Sequence, residues 1–290
     1  MVLREFDLDA KAFVADGFAF PEAKSGVEWI DADTLLLSSS LGEGMATTSG
    51  YARTVRLWRR GQPVEHAPVL FEVSADRMSA YASVDATAST QRVWFIDRID
   101  FFNSELWLGT EAGPRTKLDL PPDVWVEAHR DWLAVKLRGA WTVAGQTFAP
   151  DSVLGISLAG FLEGRRDFTL VFEPGSRRAL QGFFWANGKL VLSILDELQP
   201  RFEICTPSAN GWTRENLQGL PEIGVIDVWR LDRHESESNG DLLANVQDPL
   251  TPSSLLLIEG LASPALLKQA PKTFCADGLV VTRHEAISID

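Results

Sequence analysis

The sequence predicts an all-β fold, a β-propeller of four-stranded antiparallel blades, on three observations. Helix signals are scarce. Stretches of apolar strand, short polar turn and second apolar strand recur. They do so at intervals of roughly fifty residues, the size of one blade. The 290 residues allow one large all-β domain or two ordinary ones, and 45% apolar with 23% charged residues is the balance of a folded chain.

The opening "VLREFDLDAKAFV" precedes any inner hairpin, so residues 1–17 are expected as the outer strands of a truncated blade. The first hairpin is "VEWIDADTLLLSS" (27–39), followed by two outer strands, "RTVRLWRR" (53–60) and "PVLFEV" (68–73), divided by Gly61, Gln62 and Pro63. A looser copy is "ASVDATASTQRVWFIDR" (82–98). The third hairpin, "VEAHRDWLAVKLRG" (126–139), leads into "SVLGISLAGF" (152–161) and "FTLVFEP" (168–174). The fourth, "FFWANGKLVLSIL" (183–195), leads into "RFEICTPS" (201–208) and "WTRENLQGLP" (212–221). The fifth, "VIDVWRLDRHESESNGDLLANV" (225–246), leads into "SSLLLIEG" (253–260) and "PALLKQA" (264–270). Blades are thus expected over 18–75, 76–122, 123–174, 175–220 and 221–271, with 272–290 as a linker strand. Radial stacking of such sheets lets each cover its neighbour and leaves only short edges. Ten tryptophans, mostly inside the strand runs, are expected to fill the gaps between sheets.

Composition excludes several functions. A net charge of -13 opposes binding to phosphate backbones, so no nucleic-acid partner is expected, and the basic "RLWRRG" (56–61) reads as a solvated strand edge. No run approaches the ~18 apolar residues of a membrane-spanning helix, so no membrane partner is expected. The charged start lacks the roughly 7 to 15-residue apolar stretch of a secretory signal, which leaves the cytoplasm, or the periplasm with a leader outside this sequence. Cys205 and Cys275 are far apart and read as buried structural thiols, while His66, His129, His234 and His284 have no ligand spacing. Neither a metal nor a cofactor is expected.

Catalytic signatures are sparse. No G-x-S-x-G nucleophile elbow is present, and Ser157 in "GISLAG" (155–160) reads as a structural serine within a strand. The Gly-containing stretches 40–51 and 236–241 read as loops, since neither is followed by Lys-Ser/Thr and a helix. Paired carboxylates of a propeller glycosidase remain an alternative, with Glu28, Asp97, Glu127 and Asp227 in or near inner strands. A stand-alone protein-binding scaffold is the other alternative.

Residues 13–61 closely resemble the propeller domain of bacterial prolyl oligopeptidase family serine peptidases. The motifs are "GF-x-F-PEAKS" (17–25), "W-x-D-x-DTLL" (29–36) and "SGY-x-R-x-V-x-LW-x-RG" (49–61). The closing "VVTRHEAISID" (280–290) is similar to the strand that in this family runs on into "DGT" and the catalytic α/β-hydrolase domain. The resemblance implies a seven-bladed parent propeller, of which five to six blades are present, and a hydrolase domain of the same polypeptide as partner. It also implies a gate that admits short, proline-containing peptides. The family's Ser, Asp and His triad lies in the hydrolase domain, so none of its members falls on this chain and the chain alone is expected to be inactive. Starts of innermost strands face the hydrolase domain in this family, which makes Lys24, Arg77, Arg178 and Glu222 candidates for the domain interface or the substrate pocket.

Overall fold

The computed structural model describes residues 1–233, 238–260 and 262–287, so His234 and the closing Ser288, Ile289 and Asp290 lie outside the described residues, as do Ser236 and Glu237 of the 236–241 loop. The chain divides into two compact units, Met1–Val124 and Trp125–Asp290.

The first unit opens with a hairpin broken into two short antiparallel pairs: β1 (Leu3–Arg4) with β4 (Ala19–Phe20), and β2 (Phe6–Asp7) with β3 (Ala12–Phe13). At the break, the Glu5 carboxylate accepts the Phe18 N–H (2.8 Å) and both Nη atoms of Arg60 (2.8 and 2.9 Å). The Arg60 guanidinium holds the Glu5 carboxyl below the usual carboxylate range and also meets Asp33 at 2.8 Å. This end of "RLWRRG" is therefore an ion-paired clasp rather than a solvated edge.

Two four-stranded antiparallel sheets follow. The first runs β5 (Ser25–Asp31), β6 (Thr34–Ser39), β7 (Thr54–Arg59), β8 (Val69–Glu72). The second runs β9 (Ser79–Asp85), β10 (Arg92–Arg98), β11 (Ser104–Gly109), β12 (Thr116–Lys117). Both faces of the first sheet are covered. Leu35, Leu37 and Trp58 pack with Phe18 and Phe20 of the opening hairpin, whereas Leu36, Val55 and Leu57 pack against Ala80, Ala82, Val84 and Phe95 of the second sheet. Alternation along β6 is what serves two cores with one strand.

The second unit holds three four-stranded antiparallel sheets. Its first comprises β13 (Trp125–His129), β14 (Trp132–Lys136), β17 (Val153–Ser157) and β18 (Thr169–Phe172). A small hairpin, β15 (Trp141–Val143) and β16 (Gln146–Phe148), is inserted between β14 and β17 and turns on Ala144 and Gly145, both at positive φ. The next sheet comprises β19 (Arg178–Ala186), β20 (Lys189–Asp196), β21 (Gln199–Ser208) and β22 (Gly211–Asn216). The last comprises β23 (Val225–Arg230), β24 (Leu242–Gln247), β25 (Ser254–Ile258) and β26 (Ala265–Gln269). Trp185, Leu190 and Leu192 join Ala134, Val153 and Phe172 in one inter-sheet core, while Val191, Phe202 and Ile204 join Val228, Leu242, Ala244 and Ile258 in the other.

Four sequence expectations are corrected. The run "SLAGF" is not strand: β17 ends at Ser157 and α1 (Leu158–Leu162) follows, because Ser157 Oγ accepts the Gly160 N–H (3.4 Å) and caps a helical turn. Of the tryptophans, Trp58 and Trp185 are buried, whereas Trp125 is 61% and Trp29 46% exposed, since they sit on sheet faces or ends that no neighbour covers fully. Cys275 is exposed, having left the last sheet after Gln269, and only Cys205 is a buried thiol. The expected linker strand is irregular over the described residues 272–287, where Val280 and Ile287 are exposed and no sheet supplies a partner.

Candidate functional site

The four charged candidates sit at one kind of place, the end of a sheet where its first strand begins. Lys24 precedes β5, Arg77 precedes β9, Arg178 opens β19, and Glu222 precedes β23. Register places each beside groups far away in sequence.

In the first unit the Lys24 ammonium lies 4.1 Å over the Tyr51 ring. The loop that carries Tyr51 also places the Thr47 and Ser49 hydroxyls on the Met78 carbonyl, at 2.9 and 2.7 Å. The Lys24 and Arg77 ends of the two sheets are thereby tied together. Arg77 Nε lies 3.3 Å from Asp97 Oδ2, while Asp97 Oδ1 is buried without a hydrogen-bond partner among the described residues. Burial, reinforced by Glu105 and Asp76, pushes the Asp97 carboxyl up despite Arg77 and Lys117. Nearby, the tight turn between β10 and β11 is fixed by Asp100 Oδ1, which accepts the Phe102 and Asn103 N–H groups at 2.7 and 2.8 Å. That turn presents Phe101 and Phe102 to solvent, 73% and 66% exposed.

The raised Asp97 carboxyl has a sign that can be checked. A folded-state value above the unfolded one means that ionisation opposes folding, so Asp97 contributes stability at low pH that is lost as pH rises above 3.8 through the raised value. Asp97→Asn should abolish that loss. Denaturant unfolding at pH 3.5 and pH 7 should show the wild type losing stability relative to the variant on going to pH 7; a difference of the opposite sign refutes the assignment.

In the second unit Arg178 Nη2 meets Glu203 Oε1 at 2.6 Å, and the other Glu203 oxygen takes Arg214 Nη1 at 2.8 Å. Glu203 thus holds an arginine of the first strand and one of the fourth, and Arg178 also lies 5.0 Å over the Phe172 ring of the neighbouring sheet. Glu222 pairs with Arg201 at 3.2 Å. Arg178 and Glu222 make no contact with one another in these ion pairs. Arg177 forms an ion pair with Glu285 of the closing segment.

The carboxylates weighed for glycosidase chemistry fall on separate strands. Glu28, Asp97, Glu127 and Asp227 lie on β5, β10, β13 and β23, which are strands of four different sheets. Glu127 Oε1 accepts the Trp125 indole N–H at 3.3 Å. Ser157 is engaged as a helix cap, and burial pushes the Cys205 thiol up to about 11, leaving it protonated at neutral pH. Among the described residues no cluster of His, Cys, Asp and Glu forms a metal site, and no helix is long and apolar enough to cross a membrane.

Among the described residues, five four-stranded antiparallel sheets in sequential order, stacked face to face within each unit, define a β-propeller chain. Comparison with known proteins finds sequence similarity to peptidases and, at the level of the fold, to part of prolyl oligopeptidase structures. No family model matches the chain. The uncharacterized peptidase y4nA of Sinorhizobium fredii is 27% identical over all of this chain and 40% of its own length. The uncharacterized peptidase RP174 of Rickettsia prowazekii is 22% identical over all of this chain and 42% of its own. The chain therefore spans about two fifths of the curated relatives it matches. Among solved structures, a post-proline cleaving enzyme from Rickettsia typhi superposes with a TM-score of 0.82 at 20% identity, over 95% of this chain and 42% of that one. A prolyl endopeptidase studied for inter-domain dynamics gives 0.70 at 13% identity, over 94% and 39%.

Proposed function

We propose that the chain serves as the non-catalytic propeller portion of a prolyl oligopeptidase-like serine peptidase, limiting access to an α/β-hydrolase domain that lies outside these residues. The observation that carries this reading is the coverage. Nearly all of the chain matches peptidases and a post-proline cleaving enzyme, yet it spans only 40 to 42% of their lengths. What remains in those proteins is ample for a separate catalytic region.

In this reading the sheets exclude large substrates sterically, and short peptides, proline-containing ones among them, enter when the domains part or loops move. Lys24, Arg77, Arg178 and Glu222 would contact the hydrolase domain or the distal substrate pocket, and the cytoplasm is the proposed compartment. Support for the interface comes from their shared position at first-strand starts. The Lys24–Tyr51 contact and the ion pairs of Arg77, Arg178 and Glu222 would then be exchanged for, or extended into, contacts across the domain boundary.

The purified chain should release no chromophore from a blocked Gly-Pro p-nitroanilide at any enzyme concentration. Turnover that co-purifies with the chain and disappears in Ser157→Ala would overturn the non-catalytic assignment.

A further inference from the structure

The end of the last sheet where β23 begins, just past Glu222, carries a concavity of about 550 Å³. Its size lies within the range of roughly 300 to 1,000 Å³ typical of small-ligand pockets. The start of β23 at Val225, the β24–β25 loop 248–253 and the segment 270–274 after β26 form its walls, and the lining is mostly apolar, with Leu250, Pro252 and Phe274 among its members. One wall is rigid. Asp248 Oδ1 accepts the Leu250 and Thr251 N–H groups at 2.7 and 2.9 Å, fixing the loop as an Asx turn.

The opposite wall is exposed main chain. Ala270 N–H is the last in the segment to bond the sheet, to the Ser253 carbonyl at 2.9 Å. Beyond it, the N–H groups of Lys272, Thr273 and Phe274 have no hydrogen-bond partner among the described residues. Lys272 also lines the pocket and has no ion-pair partner among the described residues, in a chain of net charge -13. An unpaired main chain, an apolar trough and one free ammonium are complementary to a particular ligand class. Main-chain groups take an extended peptide by strand-like addition, the trough takes its apolar side chains, and the ammonium takes a terminal carboxylate.

We propose that this pocket binds short apolar peptides, hydrogen-bonded along 272–274 with their C-terminal carboxylate on Lys272. It is a second peptide site, built entirely within one unit of the chain. It requires no catalytic domain, so its failure would leave the gate reading standing, and the converse also holds.

The test is isothermal titration of the intact chain with acetyl-Ala-Leu-Ala-Leu as the free acid and as the C-terminal amide. The free acid should bind saturably at one site with Kd of about 1 mM or tighter, and the amide about tenfold more weakly. Lys272→Gln should lower affinity for the acid by the same factor and erase the preference. Thr251→Trp, which fills the trough, should abolish binding, and Lys268→Gln, on β26 outside the pocket, should change nothing. Circular dichroism confirms that each variant is folded. Absence of saturable binding of the free acid to the wild-type chain overturns the proposal. So does an acid preference that survives in Lys272→Gln, or undiminished binding in folded Thr251→Trp.

Discussion

Trp185→Ala should destabilise the second unit by about 3 to 5 kcal/mol, the range for truncating a buried large aromatic side chain. Trp185 is 1% exposed on β19 and does three things at once. Its ring stacks on His129 at 5.6 Å and 10°, its indole N–H donates to the Glu127 carbonyl at 3.2 Å, and it packs 5.9 Å from Trp212. His129 in turn accepts the Gly188 N–H at 2.9 Å, from the Asn187–Gly188 turn of the next sheet. Truncation therefore opens a cavity, removes a hydrogen bond to the Glu127 carbonyl and loosens the joint between two sheets. Trp185→Phe keeps most of the buried area but not the donor, and should lose less than the Ala variant, with about 1 kcal/mol traceable to the missing hydrogen bond. Urea unfolding followed by circular dichroism measures both, and a loss below about 1 kcal/mol for the Ala variant would mean that Trp185 is not a keystone.

The second large effect comes from adding atoms. Gly155 sits mid-strand in β17, paired with Ala134 and Thr169, and a Cβ built there would lie 2.3 Å from Cζ2 of Trp212 on the neighbouring sheet. The indole occupies the space a side chain would need and is held edge-on to Trp132 at 5.6 Å. Gly155→Ala should thus cost about 1 to 3 kcal/mol through overpacking. Trp212→Leu makes room, so the double variant should lose less than the sum of the single losses, a coupling that a double-mutant cycle reads directly. Additive losses would show that the two residues do not compete for one volume.

Sequence pattern reveals the sheets more clearly than the site. The hairpin 183–195 is legible because Asn187–Gly188 is a strong two-residue turn between apolar runs, and both residues take positive φ, 45° and 75°. The β15–β16 hairpin has an Ala-Gly turn of the same kind, yet its three-residue strands are too short to register as a pattern. Helix α1 hides in a continuous apolar run, where periodicity cannot separate helix from strand, and only the Ser157 cap gives it away. Tryptophan position misleads for a related reason: being in a strand says nothing about which face a neighbouring sheet covers, as Trp125 and Trp185 show from opposite sides.

Positions of the charged candidates follow from where first strands begin, but their partners do not follow from sequence. Arg178 finds Glu203 only through the register of β19 on β20 and β20 on β21, and Arg60 finds Glu5 only after the opening hairpin folds against the first sheet. Asp97 reads as one acid among 40 until burial singles out its carboxyl. The last-sheet pocket is assembled by loop 248–253 and segment 270–274, neither of which carries a motif.

The central claim, that this chain is a steric gate, is tested most directly by a chimera. In it the chain replaces the matching propeller region of the Rickettsia typhi post-proline cleaving enzyme, and cleavage of a short blocked Gly-Pro substrate is compared with degradation of casein. The account predicts cleavage of the short substrate with casein left intact. A chimera that degrades casein as readily as the short peptide would contradict it.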